Sequence, residues 1–212
     1  MADITSSTIE YIYSNYYATY QNGIDFTISF YEKNSLYFKN IKQLNDKEDL
    51  RKYVELVGRY VDALYQKGYY AKVVDVVNDS NIYINKEIGR LRLAHSDLKN
   101  TWYYNLGLIK GMACYALRQY KTAISVFKNL IQVDSENDKY KNWLHSSRYA
   151  QWSRFVRIIG ISCMILIGIT FIFDHYISYH IGMPIIKIVF PILILVSFYE
   201  YFPHLFFRNK KK

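Results

Sequence analysis

The sequence predicts an all-α protein in two parts, a water-soluble run of antiparallel helical hairpins over residues 1–152 and a membrane anchor over residues 153–212. Three observations carry this. The long apolar patterns of the first part have the 3.6-residue spacing of a helix, and none alternates over the length of a strand. From Phe155 the chain runs FVRIIGISCMILIGITFIF to Phe173, and from Ile181 it runs IGMPIIKIVFPILILVSFY to Tyr199. A span needs ~20 mostly apolar residues at ~1.5 Å rise to cross a ~30 Å hydrocarbon layer, so the two stretches predict transmembrane helices at about 155–173 and 181–202. The soluble part is the size of one domain with a core of its own.

The elements follow in order. Ser7-Thr8-Ile9-Glu10 is a capping box, in which the serine and glutamate side chains each accept a hydrogen bond from the other's backbone N–H, and it opens the first helix. A turn at Gln21-Asn22-Gly23 leads into IDFTISFYEK. Leu50, Tyr53, Val54, Val57, Val61 and Leu64 form one apolar helical stripe, Gly68 ends it, and Tyr70, Val73, Val74 and Val77 form the returning face. A third hairpin turns at Arg118. The turns at Gly23, Gly68 and Arg118 lie 45 and 50 residues apart, which predicts three hairpins of unequal length.

Between Trp102 and Asn137 the chain reads WYYNLGLIKGMACYALRQYKTAISVFKNLIQVDSEN, with small and aromatic residues at fixed offsets: Gly111, Cys114, Tyr120, Ala123, Phe127, Leu130 and Asp134. Gly111 and Ala123 let two antiparallel helices approach closely, and Phe127 fills the space between that hairpin and its neighbour. On these residues the segment resembles a tetratricopeptide repeat, a helix-turn-helix unit of about 34 residues. It departs from that family at Ser135, where the repeat carries proline, and at Gly107 and Lys110, where it carries tryptophan and leucine. The stretch around Gly68 is a weaker copy, with Val73 and Val77 in place of the small and aromatic residues. The resemblance implies stacked hairpins whose groove binds a peptide or helix of a protein partner.

Composition narrows the function classes. Net charge is +9, yet residues 1–154 carry 21 Lys/Arg against 16 Asp/Glu with no run of like charge, which is not a nucleic-acid footprint. The 23 tyrosines, set among many Asn, Ile and Lys, read as the codon bias of an AT-rich bacterial genome rather than as an aromatic platform. Cys114 and Cys163 lack any Cys/His partner spacing, so no disulfide, metal site or cofactor is expected. The nucleophile elbow, the phosphate-binding glycine loop, the zinc-protease helix and the dinucleotide fingerprint are all missing, and the expectation is a protein that is not an enzyme. One motif points the other way. Arg90-Leu91-Arg92-Leu93-Ala94-His95 fits R-x4-H and is similar to the motif of the HEPN ribonucleases, in which an arginine and a histidine lie close on one helix. Leu91 stands where that family carries a polar residue, so the motif is degenerate, and His95 reads more readily as a surface or capping histidine.

The membrane part has a readable topology. MADITSSTIEYIYSNYY has neither a charged start nor a continuous apolar run, so a cytosolic N-terminus is expected. Arg148, Arg154 and Arg157 precede or open the first span, Arg208, Lys210, Lys211 and Lys212 follow the second, and the connecting DHYISYHIGMP holds no Lys or Arg. The positive-inside rule then predicts a two-span hairpin with both ends cytosolic, in a bacterial inner membrane. His175 and His180 read as interfacial residues beside Tyr176 and Tyr179. Lys187 lies within the second span with Pro184 and Pro191, and either snorkels to the near boundary or faces a subunit interface or aqueous path.

Two function classes follow. In the first, a tetratricopeptide-like surface is tethered to membrane lipid as an adaptor for a cytosolic protein, an arrangement that resembles the mitochondrial fission adaptors. In the second, the chain is a membrane effector or pore of a bacterial antiviral defence system, similar to the small membrane proteins beside RNA-targeting CRISPR systems. A two-helix hairpin encloses water only as a homo-oligomer. The sequence favours the adaptor.

Overall fold

The structure, a computed structural model, describes residues 7–19, 23–41, 43–98, 101–173, 188–194 and 196; these residues are mostly helical and contain no strand. It divides into two compact units, 1–144 and 145–212. The sequence puts the boundary at 152/153, close to where the apolar run begins. Packing puts it ahead of that, inside a helix, because Trp143 and Leu144 still pack on the hairpin core.

The first unit holds α1 (Ser7–Thr19), α2 (Ile24–Lys33), α3 (Ser35–Asn40), α4 (Lys47–Gln66), α5 (Tyr70–Arg90), α6 (Trp102–Ala116), α7 (Tyr120–Val133) and the first turns of α8 (Asp138–Phe173). Asp46 caps α4, its carboxylate accepting the Asp49 N–H at 2.9 Å, and Glu48 and Asp49 suit the positive end of the helix dipole. The stripe Leu50, Tyr53, Val54, Val57, Val61 and Leu64 is buried, and it makes α4 the central helix of the unit. Both α1 and α2 pack on α4, while α6 packs on both α4 and α5. Each added hairpin thus buries an apolar face that the previous one leaves open.

The first hairpin is looser than the sequence pattern implies. Its two helices meet through side chains around Tyr16, whose hydroxyl lies 3.1 Å from Thr27 Oγ1 and whose ring meets Phe30 edge-on at 5.1 Å. Of its expected turn, residues 21 and 22 lie outside the described residues, and Gly23 precedes α2 in an extended conformation.

The second unit holds the rest of α8 and the helical residues 188–194 and 196. Asp138–Ile169 is the one stretch among the described residues long and apolar enough to cross a membrane, by length and composition. Its isoleucines 158, 161, 165 and 169 are exposed, whereas Cys163 is buried and a Cβ on Gly160 would lie 3.1 Å from Val196 Cγ1. A second crossing is not established: most of 181–202, with Lys187, lies outside the described residues, as do His175 and His180.

Candidate functional site

Gly111, Ala123 and Phe127 form a packing unit, and Tyr120 meets it through Tyr115. Ala123 and Phe127 are fully buried, and a Cβ on Gly111 would sit 2.6 Å from the Phe127 ring, so the glycine is what admits the ring. Phe127 stacks on Trp143 of α8 with centroids 6.0 Å apart and planes 16° apart. Tyr120 meets Tyr115 across the turn at 5.5 Å.

Arg90 and His95 do not share a helix. Arg90 is the last residue of α5, Arg92 is left-handed with φ of 53°, and His95 opens a 3-10 turn. The helix closes because Leu93 N–H donates to the Ile88 carbonyl at 3.0 Å and Arg92 N–H to that of Gly89 at 3.3 Å, which turns the chain away. Arg90 is committed elsewhere. Its guanidinium donates to Glu87 Oε2 from Nε at 3.0 Å and from Nη2 at 2.7 Å, and it also donates to the Leu44 carbonyl. Glu87, fully buried, accepts the Leu44 N–H at 2.9 Å. The result is a latch between the end of α5 and the segment that leads into α4.

A cleft of about 490 Å³ opens between α2, α3, α4 and α5. Four tyrosines line it. The Tyr31 ring lies between Phe38 at 4.2 Å and Tyr60 at 3.9 Å, the latter nearly parallel at 6°. Burial pushes the Tyr53 hydroxyl up to about 12 despite a hydrogen bond with Ser80 that lowers it, and pushes Tyr31 well above its ordinary value. Tyr83 is raised first by burial and then by the charge of Glu87. All three therefore stay protonated at neutral pH and serve as neutral hydrogen-bonding groups. Lys72 donates to Glu32 at 2.5 Å and lies 5.9 Å from the Tyr60 ring centroid. Asp75 and Asp79 line the cleft from exposed positions on α5.

A second polar cluster ties α1 to α4. Glu55 accepts hydrogen bonds from Tyr13 at 3.0 Å, from Tyr17, and from Arg59 at 3.0 Å, and Arg59 lies 5.3 Å from the Tyr17 ring and 5.9 Å from the Trp102 ring. Burial works against the Glu55 carboxylate, but the donors Tyr17, Arg59 and Tyr13 outweigh it and hold the group below its ordinary range. Trp102 itself lies on Gly58, where a Cβ would come within 2.6 Å of its ring.

Sequence reasoning missed the cleft, having read the tyrosines as composition. The signal within reach was Asp75, Asp79 and Tyr83 at four-residue steps on one helix face. Fold and site together define an all-α protein of stacked helical hairpins, with a tyrosine-lined cleft and, among the described residues, one helix long and apolar enough to cross a membrane. Comparison with protein-family models, curated proteins and solved structures finds no match to this chain.

Proposed function

We propose that the protein is a membrane-tethered adaptor that presents the cleft between α2, α3, α4 and α5 to a cytosolic protein. The cleft is the observation that carries this reading. Stacked rings, neutral hydroxyls and exposed carboxylates in about 490 Å³ suit the side chains of a partner. The tetratricopeptide-like pattern at Gly111, Tyr120, Ala123 and Phe127 supports it, since stacked hairpins of that kind serve as binding surfaces. Residues 153–212 would act as a two-helix hairpin with both ends in the cytosol, supported by Arg148, Arg154 and Arg157 on one side and Arg208 with Lys210, Lys211 and Lys212 on the other.

The test replaces residues 153–212 with an unrelated single-span anchor and compares the proteins captured by both forms from crosslinked membranes. The adaptor reading expects the same partner with either anchor, and its loss when Ser80→Trp fills the cleft. Conductance in liposomes that hold only the purified full-length chain, lost on Lys187→Leu, would replace the adaptor with a membrane effector.

A further inference from the structure

From His145 to Phe173 the chain carries three cations, Arg148, Arg154 and Arg157, and no Asp or Glu. All three arginines are exposed, and none has an ion-pair partner among the described residues. Between them stands an exposed aromatic pair, Trp152 and Phe155, whose rings meet edge-on with centroids 5.9 Å apart. Each residue turns a helix by ~100°, so Arg154 and Arg157 share one side of α8 and the aromatic pair takes roughly the other. Helix side chains lean towards the N-terminus, which carries the Arg154 and Arg157 guanidinium groups back towards the level of Trp152. The apolar surface follows at once, with Ile158, Ile161, Ile165 and Ile169 exposed.

Water suits the arginines but not Phe155 and the isoleucines beyond it. A nucleic acid has the same fault, since its phosphates pair with guanidinium and leave the apolar side chains wet. A second copy laid on this stretch would set arginine against arginine with no acid between them. A phospholipid meets every part. Its phosphate accepts charge-assisted hydrogen bonds from the guanidinium groups, its interfacial layer takes the indole, and its chains cover Phe155 and the isoleucines. A choline or ethanolamine headgroup brings a cation of its own, and this stretch has no carboxylate to receive it. An anionic headgroup brings none, so its attraction to the arginines is unopposed.

We infer that residues 148–158 of α8 form a binding surface for anionic phospholipid headgroups, with Arg154 and Arg157 on the phosphates and Trp152 at the interface. The inference rests on the membrane tether of the reading above, and the experiment separates the two. Full-length protein is reconstituted in phosphatidylcholine bilayers, and its lipid shell is read by electron spin resonance with spin-labelled phosphatidylglycerol and spin-labelled phosphatidylcholine. Phosphatidylglycerol associates roughly fivefold more strongly. Arg148→Gln, Arg154→Gln and Arg157→Gln together bring the two lipids close to level, whereas the three changes to Lys keep most of the preference because they keep the charge. Salt at about 1 M weakens the preference, since the screening length falls to ~3 Å. Brominated phosphatidylcholine quenches the fluorescence that Trp152→Phe removes, more from bromines near the headgroup than from bromines deep in the chain. Equal association of the two lipids with the unaltered protein overturns the surface. So does a preference that survives the Gln changes and vanishes when Arg208, Lys210, Lys211 and Lys212 are changed to Gln instead. Trp152 fluorescence that no brominated lipid quenches also overturns it, in favour of a second copy or another protein over this face. Protein that alkaline carbonate strips from membranes overturns the tether and the lipid surface together, while protein that resists carbonate and shows no preference overturns the lipid surface alone.

Discussion

Fifty residues apart, Gly68 and Arg118 both take left-handed backbone, with φ of 80° and 59°, and close the turns of α4/α5 and α6/α7. The bonds repeat as well. Tyr69 N–H donates to the Leu64 carbonyl at 2.9 Å and Gln119 N–H to that of Cys114 at 2.8 Å, and a tyrosine pair brackets each turn, Tyr65 with Tyr70 at 5.3 Å and Tyr115 with Tyr120 at 5.5 Å. The packing residues differ. Where α6/α7 sets Gly111 against Phe127, the matching positions of α4/α5 are Val61 and Val77, and all four are buried. A glycine with a phenylalanine and a pair of valines fill similar space, so one turn geometry is served by two divisions of volume. The repeat-like signature is one solution to a packing constraint, and the copy without it folds the same way. The hairpins differ again in what flanks them: Trp143 covers Phe127, while the Glu87–Arg90 latch holds the end of α5.

Phe127→Ala should do the most damage, because it removes the ring that fills the gap at Gly111 and stacks on Trp143. The expected loss is about 3–5 kcal/mol in chemical denaturation, with a smaller loss for Val77→Ala, which removes fewer atoms. Equal losses at the two positions would break the parallel. Arg90→Ala comes next at about 2–3 kcal/mol, since it strips the buried Glu87 carboxylate of its cation. A melting curve like that of the unaltered protein would show that the latch holds nothing.

Gly111→Val alone overpacks the hairpin and costs about 1–3 kcal/mol. Joined to Phe127→Val it reproduces the valine pair of α4/α5, so the double variant should lose less than the two single changes summed. Strict additivity would sink the idea of exchanged volume. At the turns the signs are opposite: Arg118→Gly stabilises and Gly68→Ala destabilises, each by about 1 kcal/mol, because only the first relieves a side chain in left-handed backbone.

The smallest effect is one of pH and belongs to the α4/α5 side, since the position in α6 that matches Glu55 is Asn105. Glu55 is held below its ordinary value of 4.5, so its contribution to stability is complete above that value and fades as pH falls through the lower folded value. Denaturation midpoints from about pH 6 to about pH 3 should fall less steeply in Glu55→Gln. Identical slopes would remove the Tyr13, Tyr17 and Arg59 cluster as a source of acid sensitivity.

Much of this molecule was written in short stretches of chain. The Leu50 to Leu64 stripe, the break at Gly68, the small-against-large pairing of Gly111 and Phe127, and the apolar run after Phe155 each depend on spacing within one or two neighbouring helices. Local periodicity fixes which face of a helix is apolar, so these features could be read before any packing was known. The R-x4-H spacing does not become a shared helix, for the converse reason. The helix closes at Arg92, where no glycine or proline marks an end, and Arg90 reaches Leu44, 46 residues away. Only tertiary packing lays Trp102 on Gly58, joins Tyr31, Tyr60 and Tyr83 around one cleft, and leaves Tyr83 Oη and Glu87 Oε1 without partners. Stacking decides which helix faces meet, and burial then sets the charge state and hydrogen-bond needs of each group, neither of which can be read from spacing along the chain.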